Sequence, residues 1–231
     1  MESAARIKVS IIITCYNKER YISRAINSCI NQSFPTDRYE IIIVDDGSTD
    51  KSREAISLYE GFGGYHFIRT KFLKKNVGAA AASNVGMKMA RGQYIVFVDG
   101  DDYVHKDFIK TMSEILEWNP DIGFVYCNLI VVAGGTRTHS TLELSTPHRL
   151  LNHGAPVMFR TKDLKALGGW DEKLRNSYDY DLLLRYRKKH SGYHLRLPYY
   201  RYFKEGSGLS TQVAERKRIQ KMLRKRHGKR S

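Results

Sequence analysis

The sequence predicts an α/β fold built on a doubly wound, mostly parallel central sheet flanked by helices, with a small second subregion on one side. Three observations carry this. Apolar strand-like runs alternate with helical patterns over short links. Several of these runs are continuous rather than alternating, as in strands buried on both faces. Two of them end in acidic clusters, Asp45-Asp46 and Asp99 to Asp102. In a parallel sheet such ends share one edge, so the clusters meet in the crevice where open α/β sheets bind ligands.

The elements follow in order. Lys8 to Thr14, with Ile11-Ile12-Ile13, is a buried strand, and Cys15-Tyr16-Asn17 is a loop. Glu19 to Gln32 places Ile22, Ala25, Ile26, Cys29 and Ile30 at helical spacing, and Phe34-Pro35 ends that helix. Tyr39 to Val44 is the second strand, followed by Asp45 to Asp50, where Ser48 or Thr49 is placed to cap a helix carrying Ala55, Ile56 and Leu58. A turn at Gly61 to Gly64 leads to a strand at Tyr65 to Ile68, a basic loop at Lys71 to Lys75 and an Ala-rich helix from Asn76 to Ala90. Tyr94 to Val98 is the strand that carries Asp99, Gly100, Asp101 and Asp102. A helix at Phe108 to Trp118 and a strand at Ile122 to Cys127 come next. Gly134 to Pro147 reads as a lid-like loop. A strand at Ala155 to Arg160, a short helix at Leu164 to Leu167, a helix at Tyr178 to His190, a strand at Tyr193 to Leu197 and a loop at Tyr199 to Ser210 complete the pattern.

At 231 residues and 42% hydrophobic content the chain can bury a core. No apolar stretch is long enough to span a bilayer, and Met1 to Lys8 does not read as a secretory leader. Cys15, Cys29 and Cys127 form no paired spacing, which points away from zinc and disulfides and toward a cytoplasmic setting. Net charge is +15, but Glu215 to Arg230 alone holds nine Lys or Arg against one Glu, and without it the charge is +7.

Three acids packed as closely as Asp99, Asp101 and Asp102 repel unless a cation or hydrogen-bond donors face them. Oxygen-only ligands suit Mg2+ or Mn2+ bridging to phosphate. The structural alternative is a polar turn in which Asp101 or Asp102 caps the next helix.

Taken together, Val9 to Asn17, VDDGSTD at Val44 to Asp50, NVGAAAASNVG at Asn76 to Gly86 and VDGDD at Val98 to Asp102 resemble family-2 glycosyltransferases, inverting enzymes of the GT-A fold that use nucleotide-diphosphate sugars. The likeness continues through Gly168 to Glu172 and Tyr178 to Leu182, and covers roughly residues 7–210 in the family's motif order. It implies a single GT-A domain over 1–210, with a nucleotide-sugar-binding half at 1–105, an acceptor-binding half at 106–210 and a basic tail at 211–231. It implies that Thr14, Tyr16, Asn17, Asp45 and Asp46 hold the nucleoside, commonly uridine. Lys75, Asn76, Gly78, Asn84, Asp99 and Gly100 belong to the same donor site. Asp101, with Asp99, would ligate Mn2+ or Mg2+ on the diphosphate, and Asp179 matches the general base. The partners implied are a UDP-linked donor and a glycan or lipid-linked sugar acceptor.

Several positions depart from the family pattern. Thr14 stands where Pro is common, Ser83 where Arg often precedes Asn84, Tyr178 where Glu precedes the base, and Phe203-Lys204 where a His is often found. Lys74 or Lys75 is the nearest replacement charge, and the QxxRW sequence of processive synthases is absent. That favours addition of one sugar.

Bland readings stand beside the chemical ones. Asp179 also suits a helix start, and Asp181 suits an i,i+4 pair with Arg185. Trp170 is a core plug or a sugar platform, and Lys51 and Arg53 decorate a solvated face. A catalytically weak nucleotide-sugar-binding homologue is the alternative raised by Tyr178 and the missing His. A basic nucleic-acid-binding protein is the alternative raised by a pI of about 9.7. A dinucleotide-binding dehydrogenase is excluded because no GxGxxG follows the first strand. If Val213 to Arg226 is helical, Ile219, Met222 and Leu223 share one narrow face among Lys and Arg, which fits attraction to an anionic membrane surface.

Overall fold

The computed structural model describes residues 7–60, 66–133, 139–152, 155–204 and 212–228. In chain order the elements are β1 (Val9–Cys15), α1 (Ile22–Ile30), β2 (Tyr39–Asp45), α2 (Ser52–Ser57), β3 (Ile68–Phe72), α3 (Ala79–Met89), β4 (Tyr94–Asp99), β5 (Tyr103–Val104) and α4 (Phe108–Trp118). They continue with β6 (Ile122–Ala133), β7 (His139–Leu142), α5 (Pro147–Asn152), β8 (Val157–Arg160), α6 (Thr161–Ala166), α7 (Tyr178–Tyr186), β9 (Ser191–Lys204) and α8 (Val213–His227). The expected turn at Gly61 to Gly64 and residues 205–211 lie outside the described set.

One sheet runs β3-β2-β1-β4-β8-β6-β9-β5, with β7 on β6. The first four strands are parallel, and β1 sits between β2 and β4. Register pairs Cys15 with Asp45 and Thr14 with Asp99, so both acidic clusters do reach one edge beside the β1 loop. The antiparallel strand β8 joins β4 to β6, and β9 then runs parallel to β6. The apolar runs behave as their composition requires: every residue of β2 is buried, and Ile11, Ile12 and Ile13 have no exposed surface. α1 packs Ile22, Ala25, Ile26 and Cys29 inward, and α4 does the same with Phe108, Ile109, Met112 and Leu116.

Buried Glu40 accepts from Ser10 Oγ at 2.8 Å, Arg69 Nη1 at 2.8 Å and the Arg91 amide at 2.7 Å, tying β1, β3 and the end of α3 to β2. Next to it, Gly92 donates to Ser10 Oγ at 2.9 Å, and a Cβ there would lie 2.5 Å from the Ser10 amide and 2.7 Å from the Val9 carbonyl carbon. Backbone on a central strand cannot yield as a flexible side chain does. Gly92→Ala is therefore expected to cost about 1–3 kcal/mol, read as a lower thermal midpoint in calorimetry.

Several boundaries move. The third strand begins at Ile68 rather than Tyr65 and takes in Lys71, so the expected basic loop is shorter. Ser48 and Thr49 do not cap α2: Ser48 Oγ accepts from the Asn17 amide at 3.0 Å, and Asp50 Oδ1 receives the Ser52 amide at 2.9 Å. Leu58 lies outside α2 and is exposed. β7 forms within the expected Gly134 to Pro147 loop, of which residues 134–138 are not described. β9 is far longer than Tyr193 to Leu197, because its register on β6 skips from Leu195 to Tyr200 and absorbs Pro198 in an irregularity. The C-terminal segment is a helix, with Leu223 fully buried, Ile219 packed on the core and Met222 exposed.

Candidate active site

The carboxyl ends of β1, β2 and β4 open onto a cavity of about 580 Å³. Of the residues expected at the donor site, Thr14, Tyr16, Asp46 and Asn76 line it, as do Gly78, Asp99, Gly100 and Asp101. Asp179 reaches the same cavity from the first turn of α7, about 80 residues further along the chain.

Asp46 organises the wall on the α3 side. Its carboxylate accepts from the Val77 amide at 2.7 Å, the Gly78 amide at 2.9 Å and Asn76 Nδ2 at 3.0 Å. Burial raises its pKa, against the pull of the two amides. The 75–78 segment is also set by Gly47, whose φ of +74° and whose approach to Lys75 leave no space for a Cβ. Arg175 Nη1 donates to the Val77 carbonyl at 2.9 Å and so brings a guanidinium to this wall.

The β4 end is held from three sides. Asp102 is fully buried and accepts from Tyr200 Oη and the Phe203 amide, both at 2.7 Å, so it fastens β9 to the acidic turn instead of capping α4. Lys18 Nζ lies 2.6 Å from Asp101 Oδ2. Arg24 donates to the Asp101 carbonyl at 2.6 Å, its guanidinium over the rings of Tyr103 and Phe203. Burial, with repulsion from Asp101 and Asp179, pushes the Asp99 carboxyl up to about 7, only partly offset by Lys18.

Trp170 Nε1 donates to Asp179 Oδ1 at 2.8 Å. The indole is 5% exposed and meets Phe97 edge-on at 4.4 Å between ring centroids. It is thus a core residue that orients the Asp179 carboxylate. Burial raises Asp179 to about 6, while the indole bond pulls it down.

Four expected donor-site residues do not line the cavity. Asn17, with φ +53°, bonds the Thr49 amide at 2.9 Å and joins two loops. Asp45 is fully buried and paired with Arg53 Nε at 2.7 Å, so Arg53 is not a solvated decoration. Lys75 is exposed. Asn84 clamps Trp170, donating to its carbonyl and accepting from its amide at 2.9 Å each. Lys18, Arg175, Tyr202 and Arg216 line the cavity without having been expected there. For Lys18 the signal was its place directly after the β1 loop; Arg175 and Arg216 carried none, since only folding brings them to the sheet edge. Asp181 pairs with Arg185 as its spacing predicts, and also with His227 Nε2 at 2.7 Å.

Among the described residues no group of three or more His, Cys, Asp or Glu would hold a metal unaided. The donor set still fits a divalent cation shared with a ligand. Mg2+ binds through one or two carboxylates plus substrate phosphates and water. Asp99 and Asp101 supply such a pair, both lining the cavity, with Asp99 raised first by burial and then by the neighbouring Asp101 and Asp179 carboxylates.

Comparisons with known proteins agree with the geometry. A profile of Glycosyl transferase family 2 matches residues 10–171. An uncharacterized glycosyltransferase of Haemophilus influenzae is 36% identical over 125 residues, which cover 52% of this chain and 48% of that protein. Among solved structures, Staphylococcus aureus TarS 1-349 in complex with UDP-GlcNAc superposes with a TM-score of 0.78 at 23% identity, over 94% of this chain and 65% of that one. A mannosyltransferase from Pyrobaculum calidifontis in complex with GDP-Man and Mn2+ gives 0.75 at 18% identity, over 98% and 66%. The chain thus spans about half the length of the Haemophilus relative and about two thirds of these solved chains. The two superpositions give the GT-A fold, and with a profile match running from β1 into the segment after α6, the chain belongs to Glycosyl transferase family 2.

Proposed function

We propose that the chain moves one sugar from a nucleotide-diphosphate sugar, UDP-linked, to an acceptor hydroxyl with inversion at the anomeric carbon. The observation that carries this is the convergence of Asp99, Asp101 and an indole-oriented Asp179 on one cavity. The nucleoside occupies the Thr14–Tyr16 and Asp46 side, and Arg175 and Lys18 offset diphosphate charge. Asp179 takes the proton of the acceptor hydroxyl as that oxygen bonds to the anomeric carbon from the face away from the diphosphate. The bond from that carbon to the diphosphate oxygen breaks, and the nucleoside diphosphate leaves with the bonding pair. Asp101, with Asp99, would hold the divalent cation, whose chemistry when bound is charge stabilisation on the departing diphosphate. UDP-GlcNAc in TarS supports the choice of uridine, and Mn2+ in the mannosyltransferase supports the cation.

Titration calorimetry with UDP and GDP, with and without Mn2+, tests the donor half of this reading. Product analysis with UDP-sugars tests the rest. UDP binding that strengthens with Mn2+, followed by an inverted product, is expected; tight binding indifferent to chelator counts against the cation.

Attachment to an anionic membrane surface on the cytoplasmic side belongs to the same proposal, through charge alone. Leu223 faces the domain and only Met222 of the apolar trio stays exposed, so sedimentation with anionic vesicles should be lost at high salt. No described helix is long and apolar enough to cross a membrane.

A further inference from the structure

α8 does not treat its cations alike. Arg224 Nε donates to Tyr180 Oη at 2.6 Å, Arg226 pairs with Asp171 at 3.3 Å and His227 bonds Asp181. These contacts, with Asn176 Nδ2 to Gln212 Oε1 at 3.4 Å, lay the helix alongside the segment that leads into α7 and along its first turns. Arg216 differs from the other cations of the helix in where it stands. It lines the cavity, it is half-buried, and its guanidinium has no hydrogen bond or ion pair among the described residues. Lys217, Arg218, Lys221 and Lys225 around it are exposed and add to the positive field without reaching the cavity.

The location decides what this cation serves. In the reading above the donor diphosphate is served by Lys18 and Arg175, which pair with Asp101 and the Val77 carbonyl. Arg216 enters from α8, beside the Asn176 to Tyr180 stretch that contains Asp179. A hydroxyl delivered to Asp179 brings the rest of its molecule past this position. A guanidinium fork matches phosphate oxygens in pairs, and a partly desolvated one left without a partner favours such a ligand.

We propose that Arg216 forms an acceptor-side subsite for a phosphate group carried by the acceptor. This rests on the glycosyltransferase reading above. It makes the acceptor a phosphorylated polyol, glycan or lipid rather than a neutral sugar, and Arg216 a residue that selects it.

The test uses the full chain saturated with UDP and Mn2+, so that the donor phosphate positions are filled. Glycerol 3-phosphate, inorganic phosphate and, as neutral control, glycerol are titrated in by calorimetry. Glycerol 3-phosphate and inorganic phosphate should bind at least about tenfold more tightly than glycerol. Arg216→Ala should abolish that preference, Arg216→Lys should keep part of it, and both should leave UDP affinity unchanged, which also shows that the variants are folded. Equal binding of glycerol 3-phosphate and glycerol overturns the subsite. So does an Arg216→Ala variant that loses UDP affinity and keeps the phosphate preference, because Arg216 then clamps the donor. If the unaltered chain binds no UDP, the donor reading itself fails, and the subsite falls with it for that separate reason.

Discussion

Asp179→Asn is expected to lower transfer by about 10²–10⁴-fold, the range of a positioned general base, while UDP affinity stays near that of the unaltered chain. The amide keeps the size of the side chain and can still accept from Trp170 Nε1 through its oxygen, so the cavity wall is preserved and only proton acceptance is lost. The pH dependence follows from the same geometry. A general base acts only when ionised, and burial raises Asp179 to about 6, so in the proposed role kcat/KM should fall as pH drops through about 6. The indole bond stabilises the ionised form. Trp170→Phe removes it and should move that acid limb upward by about one pH unit, the scale of a hydrogen bond to a charged group. A pH–rate profile of the two variants and the unaltered chain checks both statements. Unchanged turnover in Asp179→Asn would assign this carboxylate to the start of α7 and nothing more.

The second large effect is expected at Asp101. Asp101→Ala should lower turnover by about 10²-fold or more and remove the response of UDP binding to Mn2+, since charge stabilisation on a leaving phosphate is worth several kcal/mol. Chelator should bring the unaltered chain down to the level of the variant. The loop itself should survive the substitution. It is held through the Asp101 carbonyl by Arg24, through Asp102 by Tyr200 and Phe203, and through the Gly100 amide by the Thr14 carbonyl at 2.9 Å. Calorimetry of UDP with and without Mn2+, for both proteins, decides. A variant that keeps a full Mn2+ response would place the cation elsewhere.

The placement of residues at strand ends is legible in the sequence. The apolar runs of β1, β2 and β4 state their burial directly, and their acidic ends follow from a parallel register, so the meeting of Asp46, Asp99 and Asp101 at one cavity can be read before the fold. Asn84 and Asp45 stand outside the cavity lining for a physical reason: motif position says nothing about whether a residue touches a ligand or holds one that does. Asn84 braces Trp170, and Asp45 anchors Arg53 behind the wall. The full length of β9 is not legible in the sequence because Pro198 breaks strand patterning, while the neighbouring irregularity that tolerates it belongs to its pairing with β6. Arg175 and Arg216 were not legible because a lone Arg between motifs carries no periodic signal.

The bond between the Trp170 indole and Asp179 has a use beyond chemistry. The chain has two tryptophans, and Trp118 is 74% exposed at the end of α4. Trp118→Phe would leave a single tryptophan whose N–H points at the Asp179 carboxylate. Its emission would then report, in the unlabelled protein, the moment that carboxylate changes charge or an acceptor comes to rest against it.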